Sequence, residues 1–136
     1  MIYPMFTMIV LIYGFMLFTL TVRVRSVKSG LTHIRYFKIF EGDAPDLVIK
    51  TNRHFSNLFE TPVLFFAAGI LCIVLHVETT LTITLAWCFV ALRSVHMFIH
   101  ITYNKVLHRM AVFLLSTVCI LILWCAILAK QLSHTV

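Results

Sequence analysis

The chain has 136 residues, a length that suits a single domain spanning residues 1–136. Its residues are 61% hydrophobic and only 12% charged, with mean hydropathy +1.00, whereas soluble domains carry about 25% charged residues. A soluble fold of this size cannot hide so much apolar surface, so lipid must be its solvent. The net charge is +6, but the basic residues flank apolar runs, which argues against a nucleic-acid partner.

The first apolar run, residues 4–22, contains no charge. It lacks a basic n-region and a small-residue cleavage site, so it reads as a spanning helix and not as a removed leader. Arg23 and Arg25 close it. Residues 23–44 form the one long connection, with Gly30, Gly42 and most of the charge. Asp43, Pro45 and Asp46 then mark a helix start near Ala44, with a proline and an acid in the first turn. If unbroken to His76, that helix would be about 50 Å long. This exceeds the roughly 30 Å hydrocarbon core, so its first turns should project beyond the membrane.

The second apolar run, residues 58–77, is interrupted by Glu60 and His76. The third, 81–101, carries Arg93, His96 and His100, and the fourth, 110–129, is uncharged. Each run meets the requirement of roughly 20 apolar residues for a spanning helix. Continuous runs of this kind satisfy the backbone as helices and not as barrel strands. The fold class expected is therefore an all-α integral membrane protein, a four-helix up-down bundle with short second and third loops.

Charge orients the bundle. Arg23, Arg25, Lys28, Arg35, Lys38, Lys50 and Arg53 lie between the first and second runs, and Lys105 and Arg109 between the third and fourth. Lys130 alone lies on the other side. The positive-inside rule puts both basic loops in the cytoplasm and both termini outside. The membrane would be the inner membrane of a bacterium or the endoplasmic reticulum of a eukaryote. Cys72, Cys88, Cys119 and Cys125 fall inside apolar runs without zinc-ligand spacing, so they read as packing residues and no metal is expected. His33, His54, His76, His108 and His134 read as loop or interface residues without a role.

Two polar stripes enter the apolar runs. Lys50, Arg53, Asn57 and Glu60 are spaced 0, 3, 7 and 10, which at 100° per residue keeps them within about 80° of one another. Arg93, His96, His100 and Tyr103 repeat the same spacing. Antiparallel helices bring the stripes to matching depth near the basic loops, where Arg23, Arg25 and Arg109 join them. Each buried charge costs about 2.5–3.5 kcal/mol on insertion scales, so such residues persist when paired or when they line a cavity. Glu60 with Arg53 or Arg93 would make a structural ion pair, but the cations outnumber the acid. Buried excess positive charge favours an anion. Arginines suit carboxylates, Glu60 suits an ammonium group, and Asn57 suits a peptide unit. Glutathione has that combination of groups.

These residues resemble the MAPEG family, the membrane-associated proteins in eicosanoid and glutathione metabolism. Its second-helix pattern of arginine, asparagine four later, glutamate three after that and a nearby proline is matched by Arg53, Asn57, Glu60 and Pro62, with Lys50 where some members have arginine. Its third-helix pattern is matched by Arg93, His96 and Arg109, and its paired basic residues after the first helix by Arg23 and Arg25. The resemblance covers essentially the whole chain. It implies a homotrimer with glutathione bound between subunits as co-substrate, near the cytoplasmic side. It also implies glutathione transferase or peroxidase activity on a lipophilic second substrate. Within that reading Arg109 is the catalytic cation beside the thiol. Arg53, Arg93 and Lys50 hold carboxylates, Glu60 and Asn57 fix the amine and amide, and His96 and His100 donate hydrogen bonds. The chain departs from the pattern at His100, where many members carry tyrosine. Met110 stands for serine and Phe113 for tyrosine in some members. These departures favour a second reading, a non-catalytic ligand-binding scaffold. A small proton-coupled transporter using Glu60 is a third, but it calls for a second acid or inverted repeats, and neither is visible.

Overall fold

The computed structural model describes residues 1–135, with His134 and Thr135 described by their backbone alone, so the His134 side chain lies outside the described residues. Helix α1 (Ile2–Lys28) leads to a one-turn helix α2 (Tyr36–Ile39). Then come α3 (Asp46–Asn57), α4 (Thr61–Val74), α5 (Thr80–Ile101) and α6 (Val106–Thr135). Among the described residues four segments are long and apolar enough to cross a membrane: Ile2–Lys28, Asp46–Val74, Thr80–Ile101 and Val106–Ser133. The protein is thus an all-α, multi-pass integral membrane protein. The first and last helices overrun at both ends the apolar runs that mark them, because a helix keeps its own hydrogen bonds past the hydrocarbon edge, whereas the second segment starts well before its run and ends at Val74, short of residue 77.

The second spanning segment differs from the unbroken helix expected. It starts at Asp46, where Pro45 is the N-cap without a side-chain cap bond. It loosens over 58–60, where Phe59 N–H bonds the Ser56 carbonyl at 3.0 Å and Glu60 N–H the Asn57 carbonyl at 3.4 Å. Pro62 in the first turn of α4 is the cause: proline has no N–H for the carbonyl four residues back, and its ring crowds that carbonyl.

Helix α5 is set by a capping box. Thr79 N–H donates to Thr82 Oγ1 at 2.8 Å and Thr82 N–H donates to Thr79 Oγ1 at 3.2 Å, which satisfies two otherwise free donors. The amino group of Met1 pairs with Glu78 just before that cap. At the opposite end, Asn104 adopts φ 48°, a left-handed conformation that asparagine tolerates. It turns the chain from α5 into α6, and these two helices make the most extensive contact in the bundle.

The core joins all four spans. Met8 and Phe15 of α1, Phe65 and Cys72 of α4, Phe89 of α5 and Leu123 of α6 are buried together, and the Phe65 and Phe89 rings stack at 4.5 Å. Large apolar side chains such as Phe6, Leu17, Leu64 and Leu121 point outward, as lipid-facing positions do. Gly69 lets α4 approach α1: a Cβ there would lie 2.6 Å from Met5 Sδ, whereas Gly14 has open space. Gly69→Val is therefore expected to lower stability by about 1–3 kcal/mol, the usual range for overpacking. Gly14→Ala, in open space inside α1, should leave the unfolding temperature in detergent no lower, because alanine favours a helix interior, and an equal loss at the two positions would contradict this packing.

Candidate functional site

The polar residues converge at the basic end of the bundle, on the last turns of α3 and α5 and the first turn of α6. Arg93 is the central member. It is fully buried, and its Nη2 donates to the Asn57 carbonyl at 3.1 Å and to Asn57 Oδ1 at 2.6 Å. The first of these bonds exists because α3 ends at Asn57. In a continuous helix that carbonyl would be taken by the N–H four residues on; here it accepts only a long 3.4 Å bond from Glu60 N–H and has capacity left for a cation, which also suits the negative end of the helix dipole. Asn57 Nδ2 in turn donates to Glu60 Oε2 at 3.5 Å. Asn57 therefore sits between Arg93 and Glu60, and among the described residues neither Arg53 nor Arg93 forms an ion pair with Glu60. The ion pairs present among the described residues include Met1 with Glu78 and Lys50 with Asp46 at 3.1 Å.

Beside Arg93 lies a cavity of about 360 Å³ lined by Arg53, Asn57, His96, His100, Val106, Arg109, Met110 and Phe113. Two guanidinium groups face it and no carboxylate does, so its potential is positive. Arg109 is held by Asn104, whose Oδ1 accepts from Nη1 at 2.8 Å. The same nitrogen lies 3.4 Å from His100 Nε2. Arginine can only donate, so Nε2 is the acceptor and the proton of a neutral His100 sits on Nδ1. Phe113 covers Arg93, with its ring centroid 5.8 Å from the guanidinium carbon.

The structure thus gathers Arg53, Asn57, His96, His100 and Arg109 around one cavity, with Arg93 and Glu60 joined to it through Asn57. The remaining sequence candidates lie elsewhere. Tyr103 is exposed, its hydroxyl 3.3 Å from His108 Nδ1, because α5 ends at Ile101 and the chain turns before Tyr103 can extend the stripe. Lys50 is engaged by Asp46. Arg23 donates through Nε to Asn52 Oδ1 at 2.8 Å and sits within 5.7 Å of the Phe37, Phe40 and Phe55 ring centroids. It lines a neighbouring cavity of about 440 Å³ that shares Arg53. Arg25 lines a third, more apolar recess with Phe18, Pro45 and Leu47.

Sequence reasoning missed His54. It is fully buried, in contact with His96 and His100 at ring-centroid distances of 5.3 and 5.1 Å. The spacing of Val48, Thr51 and His54 puts them on one face of α3, and His96 and His100 are four apart on one face of α5, but only the packing shows that the face of α3 carrying His54 is buried. His33, His76 and His108 are exposed.

The cavity has guanidinium walls, an amide and two imidazoles, and it lies at the basic end of four apolar helices. No curated protein and no solved structure matches the chain. The MAPEG family model matches residues 1–129, and the chain belongs to the MAPEG family of membrane proteins.

Proposed function

We propose that this protein binds glutathione in the cavity between α3, α5 and α6 and uses it as a transferase or peroxidase on lipophilic substrates. The observation that carries the reading is the excess of cations around Asn57: Arg53 and Arg109 on the wall and Arg93 behind it, with Glu60 one amide away. Arg53 would hold a carboxylate, Asn57 a peptide unit and Glu60 the ammonium group. Arg93 orients Asn57 and adds positive charge from behind. The family's general link to glutathione agrees with this chemistry. The cavity end of the bundle would face the cytoplasm, and other subunits of a homotrimer would supply the remaining walls.

A free thiol has a pKa of about 8.5, so little of it is thiolate at neutral pH. Arg109 beside the sulfur would stabilise the thiolate; about 1.4 kcal/mol of such stabilisation makes the thiol ten times more acidic. His96 and His100 complete the polar wall. The thiolate sulfur would then form a carbon–sulfur bond with an electrophile arriving through lipid, and the leaving group would depart with the electron pair of the broken bond. With a lipid hydroperoxide, two glutathione molecules would give one disulfide, an alcohol and water.

Met110 and Phe113 favour a second reading, a ligand-binding scaffold, because neither can donate a hydrogen bond to sulfur and both line the cavity. Calorimetry of the detergent-purified protein with glutathione, followed by ultraviolet spectroscopy for a thiolate band, separates the two. Binding with the band is expected of the enzyme and binding without it of the scaffold; absence of binding rejects both. Met110→Ser should strengthen the band in an enzyme. A band unaltered by this change would remove Met110 from the vicinity of the sulfur.

A further inference from the structure

We propose that His54, His96 and His100 form a binding site for one late first-row transition metal ion, zinc being the simplest occupant. The three side chains come from two helices. His96 and His100 are four residues apart on one face of α5, and α3 brings His54 against them. Each offers one ligand atom, and these atoms lie within 4.8 Å of one another. Zinc–imidazole bonds of about 2.0–2.1 Å would bring tetrahedral ligand atoms to about 3.3 Å apart. The rings therefore need to close by about an ångström and a half at most, a movement within reach of the broad χ2 torsion of histidine.

The second observation is that four of the six ring nitrogens are buried without a partner. Both ring nitrogens of His54 are buried without a hydrogen-bond partner, as are Nδ1 of His96 and Nδ1 of His100. Leaving a polar nitrogen buried and unpaired costs about 1–3 kcal/mol; a metal ion would satisfy one on each ring. Phe15 meets the His54 ring edge-on at 4.6 Å, and Phe113 lies 5.9 Å from His96, so apolar walls hold the imidazoles in place. An all-imidazole donor set suits zinc, copper or nickel and does not suit magnesium or calcium, which take oxygen. Three protein ligands leave a fourth position, as in catalytic zinc sites. His96 and His100 line the cavity, so that position opens toward it and takes water or an anion. The nearby guanidinium groups oppose a bare cation and therefore favour an anionic fourth ligand. Arg109 contacts His100 only at 3.4 Å and keeps its 2.8 Å bond to Asn104, so it can release the imidazole without losing its anchor. The site stands on the histidines alone and needs no glutathione for its formation.

The test is zinc titration of tag-free, chelator-treated protein in detergent, in competition with a chromophoric chelator, with cobalt as the spectroscopic probe. About one ion per chain is expected, and the intense visible bands of four-coordinate cobalt. His54→Ala and His100→Ala should each weaken zinc binding by more than about 100-fold, beyond what loss of an outer-shell contact costs. His76→Ala, at an exposed position, should change nothing. Equal binding in the wild type and His54→Ala, or equal loss in His76→Ala, would overturn the proposal. Should the alanine variants fail to fold, X-ray absorption of the zinc-loaded wild type decides: three imidazole nitrogens at about 2.0–2.1 Å support the site, and a shell without imidazole refutes it.

Discussion

Arg93→Met is expected to remove most glutathione affinity while leaving the helical bundle folded. Two large contributions nearly cancel in its stability. Burying a guanidinium without a directly paired carboxylate costs several kcal/mol even after relaxation, and Nε and Nη1 of Arg93 have no partner to offset it. Against this stand two charge-assisted bonds to Asn57, each worth about 1.5–3 kcal/mol. Methionine keeps the length and apolar bulk, so the unfolding free energy should move by no more than about 2 kcal/mol in either direction. Binding has no such cancellation. Loss of the charge and of the hold on Asn57 should cost about 2–5 kcal/mol of affinity, roughly 30-fold or more. Thermal unfolding and calorimetry on the same preparation read both quantities. A variant that melts far below the wild type but binds normally when folded would mean that Arg93 serves the fold alone.

The second large effect separates chemistry from binding. Arg109→Ala should lower kcat by about 100- to 1,000-fold, the loss typical when one donor to a developing anion is removed, while most glutathione affinity remains. Glu60→Ala should reduce affinity and turnover together, because the ammonium group loses its counter-charge and Asn57 loses the acceptor at 3.5 Å. The expected signature is a fall in kcat at nearly constant KM for the first variant, and a loss of calorimetric binding for the second. The opposite assignment, binding lost with Arg109 and spared with Glu60, would exchange the two roles. The two residues act from different elements, α6 and the turn before α4, so each change leaves the other group in place.

Hydropathy alone marked the four spans, and the charge of the loops marked the basic end. Both are legible because transfer into lipid is close to additive along the chain. The two stripes were legible as far as their helices run. Arg53 and Asn57 remain on a common wall with His96 and His100 because the 100° rule holds inside α3 and α5. It ceases to hold where a helix ends. Glu60 follows the last residue of α3, and Tyr103 follows the last residue of α5; both extrapolations continued a helix that had stopped.

Residue order is therefore enough to specify an all-helical membrane bundle with facing ionic stripes near its basic end. Which groups meet depends on how the helices end and pack. The loosened turn before Pro62 leaves the Asn57 carbonyl with only a long bond from Glu60 N–H, and so open to Arg93, and Asn104 bends the chain so that Arg109 returns to the cavity. His54 lies about 100° around α3 from Arg53. Periodicity says that it leaves the ionic stripe, but not whether lipid or protein covers it. The packing of α1 and α5 against α3 answers that, because helix rotation in a membrane is set by which neighbours can bury a polar side chain.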